Sequence, residues 1–114
     1  MKNGETKRIY IGEVGVDSGQ LVVCDPCYIG KSKGLELNDY KHMLELRAKT
    51  GGGDLNKAKK YLQLKYDLGH NGLGVVFDSG FGDGVYPVYA TIKKFKGMGE
   101  RIVKIEILMG EEME

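Results

Sequence analysis

Val75-Val76-Phe77, then Asp78-Ser79-Gly80-Phe81-Gly82-Asp83-Gly84, then Val85-Tyr86-Pro87-Val88-Tyr89-Ala90-Thr91-Ile92 form one stretch in which two strand-like runs flank a glycine-rich turn. Tyr86, Val88, Ala90 and Ile92 alternate with Pro87, Tyr89, Thr91 and Lys93, the period of a strand with one apolar and one mixed face. Glycine at every second position from Gly80 to Gly84 opens backbone conformations closed to other residues, so the turn reads as a hairpin tip made to approach something closely. Pro87 cannot donate to a ladder, which argues for an edge or a strand's beginning.

Downstream, Gly97-Met98-Gly99 makes a turn, and Val103, Ile105 and Ile107 alternate with Lys104 and Glu106 in a last strand before a tail, 110–114, expected to fray. Upstream, Arg8-Ile9-Tyr10-Ile11-Gly12-Glu13-Val14-Gly15-Val16 reads as a strand that bends or bulges at its glycines. Asp17-Ser18-Gly19-Gln20 is a turn cluster, echoed by Asp78-Ser79-Gly80, and Leu21-Val22-Val23-Cys24 is a short strand ended by Asp25-Pro26. These pieces suggest an N-terminal β-hairpin over 6–30.

A helical insertion is expected over 35–66. Asn38 can cap a helix from Asp39 to Ala48 that places Tyr40, Met43, Leu44 and the stem of Arg47 on one face, with Gly51 beyond its end. Asp54 can cap a second helix to about Leu64, because Lys57, Ala58, Lys59 and Lys60 favour helix, although Leu62, Leu64 and Tyr66 also alternate as in a strand. With C-terminal strands over 73–109, the expectation is one α+β domain spanning 1–114. It is mainly a twisted antiparallel β-sheet of five or six strands with a one- or two-helix insertion in the middle.

A chain of 114 residues fits one domain, and 18 glycines, about double the usual share of roughly 7%, indicate a turn-rich architecture. Seventeen basic and sixteen acidic residues leave a net charge of +1, so nothing global steers the chain to nucleic acid or an anionic membrane. No apolar run approaches the ~20 residues that span a bilayer, and Met1 to Lys7 is polar with no apolar core behind it, so a cytoplasmic location is expected.

Val16-Asp17-Ser18-Gly19-Gln20 leading into Asp25-Pro26-Cys27-Tyr28-Ile29, and Ser79-Gly80-Phe81-Gly82-Asp83-Gly84 leading into Tyr86-Pro87-Val88-Tyr89, resemble bacterial and phage proteins grouped under domain of unknown function 4241. The resemblance implies a small, mainly β, cytoplasmic protein and carries over no catalytic residue.

Cys24-Asp25-Pro26-Cys27 is a Cys-x-x-Cys pair, but no helix follows it to activate a thiolate, and a zinc site would need two more ligands, for which only His42 and His70 offer. The Gly80-x-Gly82-x-Gly84 pattern leads into a strand rather than the helix that holds the anion in dinucleotide and P-loop folds. An EF-hand loop opening at Asp78 would need glutamate where Tyr89 stands, leaving only a looser divalent site gathering Asp25, Asp78 and Asp83. His42 and His70 have no serine or cysteine partner that can be placed beside them. Tyr86 and Tyr89 point to opposite faces, so Tyr86 can be core while Tyr89 offers its ring to a base or a sugar, or packs under the insertion.

The reading that follows is a small non-enzymatic binding protein of bacterial or phage type. It holds a small polar, nucleotide-like ligand or a protein partner at Asp25, Tyr28, Asp78, Gly80, Gly82, Asp83, Gly84 and Tyr89. No catalytic residue, metal ligand or cofactor is assigned. The rivals are a metal-dependent hydrolase using the clustered aspartates and a histidine, and a structural homo-oligomer joined through an edge strand.

Overall fold

The computed structural model of the chain describes residues 1–29, 40–66 and 68–110. In chain order its elements are β1 (Thr6–Val16), β2 (Gln20–Cys24), a 3₁₀ turn (Pro26–Tyr28), α1 (Tyr40–Ala48), β3 (Tyr61–Lys65), β4 (Asn71–Asp78), β5 (Gly84–Phe95) and β6 (Gly99–Ile107). Over the described residues the fold is α+β, with six strands in two antiparallel sheets and a small helical insertion. The chain divides into two units, Met1–Asp17 with Asp83–Glu114, and Ser18–Gly82.

The first unit is the sheet β1-β5-β6. β1 runs antiparallel to β5 from Thr6 opposite Lys93 to Val16 opposite Gly84, with the expected bulge between Tyr10 and Gly12. β6 runs antiparallel to β5 from Gly99 opposite Phe95 to Ile107 opposite Val88. Pro87 therefore sits in the central strand, near its beginning, where its carbonyl accepts the Leu108 N–H at 3.1 Å. Val16, Tyr86 and Ala90 are its buried apolar residues.

The second unit is the sheet β2-β4-β3 with α1. β2 pairs with β4 from Gln20 opposite Asp78 to Cys24 opposite Gly74, and β3 pairs with β4 from Tyr61 opposite Phe77 to Lys65 opposite Asn71. Met43 of α1 packs with Leu64 of β3 and Leu73 and Val76 of β4 in one core. α1 runs on into a 3₁₀ turn, Lys49–Gly51, which ends where Gly52 takes a positive φ of 70° and Gly53 N–H reaches back to Ala48 C=O at 2.9 Å, a turn that β-carbon-bearing residues resist.

Three expectations change. β1 and β2 do not form a hairpin: β1 pairs with β5 and β2 with β4, because the turn at 17–19 carries the chain from one sheet to the other. The glycine-rich turn is likewise a crossing between sheets and not a hairpin tip, since β4 and β5 belong to different sheets. The second helix is absent. Asp54 caps only a 3₁₀ turn over Leu55–Lys57, accepting the Asn56 N–H at 2.9 Å, and the chain bends through 58–60 into β3. The few tenths of a kcal/mol per residue by which lysine and alanine favour helix lose to burial of Leu64 and a full ladder with β4. The expected cap Asn38, the expected first helical residue Asp39 and the tail at 111–114 lie outside the described residues.

Candidate functional site

The crossing at residues 78–84 is fixed from beneath. Ser79 is fully buried; its N–H donates to Gly19 C=O at 3.1 Å and its Oγ to Gly82 C=O at 2.7 Å. Gly80 and Gly82 take positive φ of 68° and 90°, which lets the chain bend tightly around that serine. Between them Phe81 is 79% exposed, an apolar ring at the tip of a turn anchored at its base. Asp83 and Gly84, also exposed, lead into β5.

Asp78, at the end of β4, has a different role from the one its sequence neighbours suggested. Its carboxylate Oδ1 forms an ion pair with Nη1 of Arg47, whose side chain is only 6% exposed, and Oδ2 lies 3.8 Å from Lys60 Nζ. Arg47 falls on the apolar face of α1 because it follows Met43 by one turn, and a cation buried there needs a carboxylate. The spacing from Met43 was the available signal for its burial; no local pattern could name Asp78 as its partner, thirty-one positions along the chain.

Asp25 and Tyr28 belong to the 3₁₀ turn after β2. The Asp25 side chain accepts the Cys27 N–H at 3.0 Å, the Asx-type cap that aspartate before proline supplies. The hydroxyls of Tyr28 and Tyr66 hydrogen-bond at 3.1 Å with their rings edge to face, and the Tyr66 hydroxyl also reaches Gly72 C=O at 3.2 Å. Tyr66 has one proton to give and spends it on that carbonyl, so Tyr28 donates to Tyr66. Holding this proton pushes the Tyr28 phenol up to about 12. His70 stacks at a tilt on Tyr66, 4.7 Å between ring centres. Both cysteines are free thiols; desolvation first, and then the neighbouring Asp25 carboxylate, raise Cys27, the opposite of what an activated thiolate requires. Among the described residues no three of histidine, cysteine, aspartate and glutamate are grouped to hold a metal ion.

Tyr89 lies in the other unit, directly opposite Tyr10 in the β1–β5 ladder, with the two rings edge to face at 5.6 Å. The Arg8 guanidinium sits 3.9 Å above the Tyr89 ring and its Nε donates to Glu106 Oε1 at 3.0 Å. That hydrogen bond lowers Glu106, with Lys104 adding to the effect. One face of the Tyr89 ring is thus occupied by a strand neighbour's cation, a cation–π pair that alternation alone does not reveal.

The eight candidate residues therefore divide among three settings. Asp25 and Tyr28 cap and brace a turn in the second unit; Asp78, Gly80 and Gly82 build the crossing; Gly84 and Tyr89 belong to the central strand of the first unit, with Asp83 just before it. No helix among the described residues is long and apolar enough to cross a membrane.

A pair of three-stranded antiparallel sheets joined by two serine-glycine crossings, with one helix inserted, is the class this chain defines. It belongs to the DUF4241 family, described as protein of unknown function, which matches it over residues 11–98. No curated protein and no solved structure matches the chain.

Proposed function

We propose that this is a non-enzymatic binding protein of bacterial or phage type that engages a partner's surface through the glycine-rich crossing. The exposure of Phe81 carries the reading. An aromatic side chain is the residue type that most often anchors an interface, and burying such a ring contributes about 1.5–3 kcal/mol. Because Ser79 holds the turn from below, little ordering is left to be done on binding. A small anionic ligand such as a nucleotide is less well matched: Asp83, two positions after Phe81 in the chain, is exposed, and Arg47 and Lys60 are already directed at the Asp78 carboxylate.

Site-specific photo-crosslinking tests this. A benzophenone side chain at position 81, in cells that naturally make the protein, is expected to yield a discrete adduct that is missing when the label replaces Leu68, a more exposed residue in the β3–β4 turn. Identical adducts from both positions would sink the reading.

The edge strand β6 favours homo-oligomerisation as a second reading. Leu108 N–H faces β5, so by alternation Ile105 and Ile107 turn their N–H and C=O groups outward. Antiparallel pairing of two copies centred on Ile105 would set Lys104 opposite the second copy's Glu106 and Val103 opposite its Ile107. Light scattering on the native protein and on Ile105→Pro separates this from a monomer: a dimer mass that Ile105→Pro halves supports it, and a monomer at every concentration removes it.

A further inference from the structure

One face of the β1-β5-β6 sheet is basic and aromatic, although the chain as a whole carries a net charge of only +1. Residues directly opposite one another in an antiparallel ladder share a face. The register therefore gathers Arg8 and Tyr10 of β1, Tyr89 and Lys93 of β5, and Arg101 and Lys104 of β6 on one side. The contacts agree: Arg8 reaches both the Tyr89 ring and Glu106, and Lys104 Nζ lies 3.8 Å from Glu106 Oε1. Ile9, Ala90 and Ile105 turn to the opposite side.

Charge and exposure give this face its chemistry. Along the same registers the strands contribute four cations to it against two carboxylates, Glu13 and Glu106. Glu106 is already flanked by Arg8 and Lys104, Glu13 lies further along the ladder opposite Pro87, and among the described residues Lys93 and Arg101 form no ion pair. The excess of positive charge matches a polyanion, a local attraction that a near-neutral total does not oppose. Tyr10 narrows the class. It stands at the β1 bulge with its ring 56% exposed, while the Tyr89 ring beside it already carries the Arg8 guanidinium. An exposed ring among cations fits a chain that alternates phosphates with flat bases, and bases are free to stack on a side chain only when the strand is single. We propose that this face is a binding surface for single-stranded nucleic acid, with a base stacked on Tyr10 and phosphates along Lys93, Arg101 and Lys104. It shares no residue with the Phe81 turn, so its fate does not depend on the partner reading.

Fluorescence anisotropy of the full chain with a labelled thymidine dodecamer, an abasic dodecamer of the same charge and the matching duplex tests this, with cosedimentation on phosphatidylserine vesicles alongside. The thymidine strand is expected to bind saturably and about tenfold more tightly than the abasic one, the factor that one base–aromatic stack supplies. Tyr10→Leu should remove that preference. With phosphates at Lys93, Arg101 and Lys104, affinity should fall about fifteenfold between about 50 and about 200 mM salt, and Arg101→Gln should reduce that fall to about sevenfold. Tyr10 and Arg101 are both exposed, so the two variants are expected to keep the fold, which urea titration of each checks. Equal binding of the thymidine and abasic strands would leave a generic polyanion patch and overturn the proposal. Tighter binding to the duplex, or sedimentation with the vesicles without binding to the thymidine strand, would overturn it in favour of a different partner. Absence of saturable binding at the lowest salt, or a base preference and salt dependence that neither variant alters, would overturn it too.

Discussion

The two sheets of this protein have the same number of strands and opposite ways of using them. In the β2-β4-β3 unit, Met43, Leu64, Leu73 and Val76 form a buried core, and one nearly inaccessible cation is matched by a carboxylate. In the β1-β5-β6 unit, Ile11, Ile102, Val103 and Ile105 stay exposed, and the main electrostatic contact, Arg8 with Glu106 and the Tyr89 ring, is at the surface. The difference teaches that one unit is organised around an inserted helix, whereas the other spends much of its apolar side-chain surface on solvent or on something that covers it.

The largest effects should come from the helix-bearing unit. Leu73→Ala is expected to lower unfolding free energy by about 3 kcal/mol, from lost burial plus a cavity, whereas Ile105→Ala should change it by less than about 0.5 kcal/mol in urea titrations of the monomer. Equal losses at the two positions would erase the comparison.

Asp78→Ala comes next, at about 2 kcal/mol, the lower side of the range for breaking a buried pair because the carboxylate is about one-third exposed while Arg47 is not. The sharper form is a pair of variants: Arg47→Met leaves a partly solvated Asp78 beside Lys60 and should cost less than Asp78→Ala, which strands the buried cation. The reverse order would show that Arg47 contributes mainly through the packing of its stem.

Smaller effects are set by pH, in opposite directions in the two units. The folded state holds the Tyr28 proton more tightly than the unfolded chain does. Its contribution is therefore complete below the ordinary phenol range near 10 and is lost as pH rises toward about 12; Tyr28→Phe should flatten that alkaline limb in denaturation curves, and ultraviolet titration should show one late tyrosine. Glu106 is lowered, so its contribution is present above the ordinary carboxylate range and is lost as pH falls through its folded value. Glu106→Gln should remove this acid-side slope, and added salt should mimic the variant because the pair is at the surface. Phe81→Ala should leave stability unchanged within about 0.5 kcal/mol, since the ring makes its contribution only when something covers it.

Legibility followed the range of each interaction. The strand that includes 85–92, the bulge near Gly12 and the turn at 97–99 are readable, because alternation and glycine act within a few residues, and Asp54 is readable as a cap though of a 3₁₀ turn rather than a helix. The stretch 58–65 read as helix because its lysines and alanine outvote Leu62 and Leu64 locally; a ladder with β4 reversed the vote. Of the candidate site, the glycines mark the crossing, but no local pattern marks Phe81, because the exposure of a turn residue depends on what the rest of the chain packs around it. Gln20 reads as part of a turn cluster, and nothing local signals that its amide donates to Tyr40 C=O, twenty residues away.

By itself the sequence determined where the backbone is extended, where it turns and which faces are apolar, since these follow from side-chain periodicity and local hydrogen bonding. Only the tertiary structure decided that β1 takes β5 and β2 takes β4, that Asp78 belongs to Arg47 and that Gln20 is buried with its amide donating to Tyr40 C=O. Strand edges carry the same backbone donors and acceptors whatever their sequence, so the choice among partners rests on the summed burial of residues far apart in the chain.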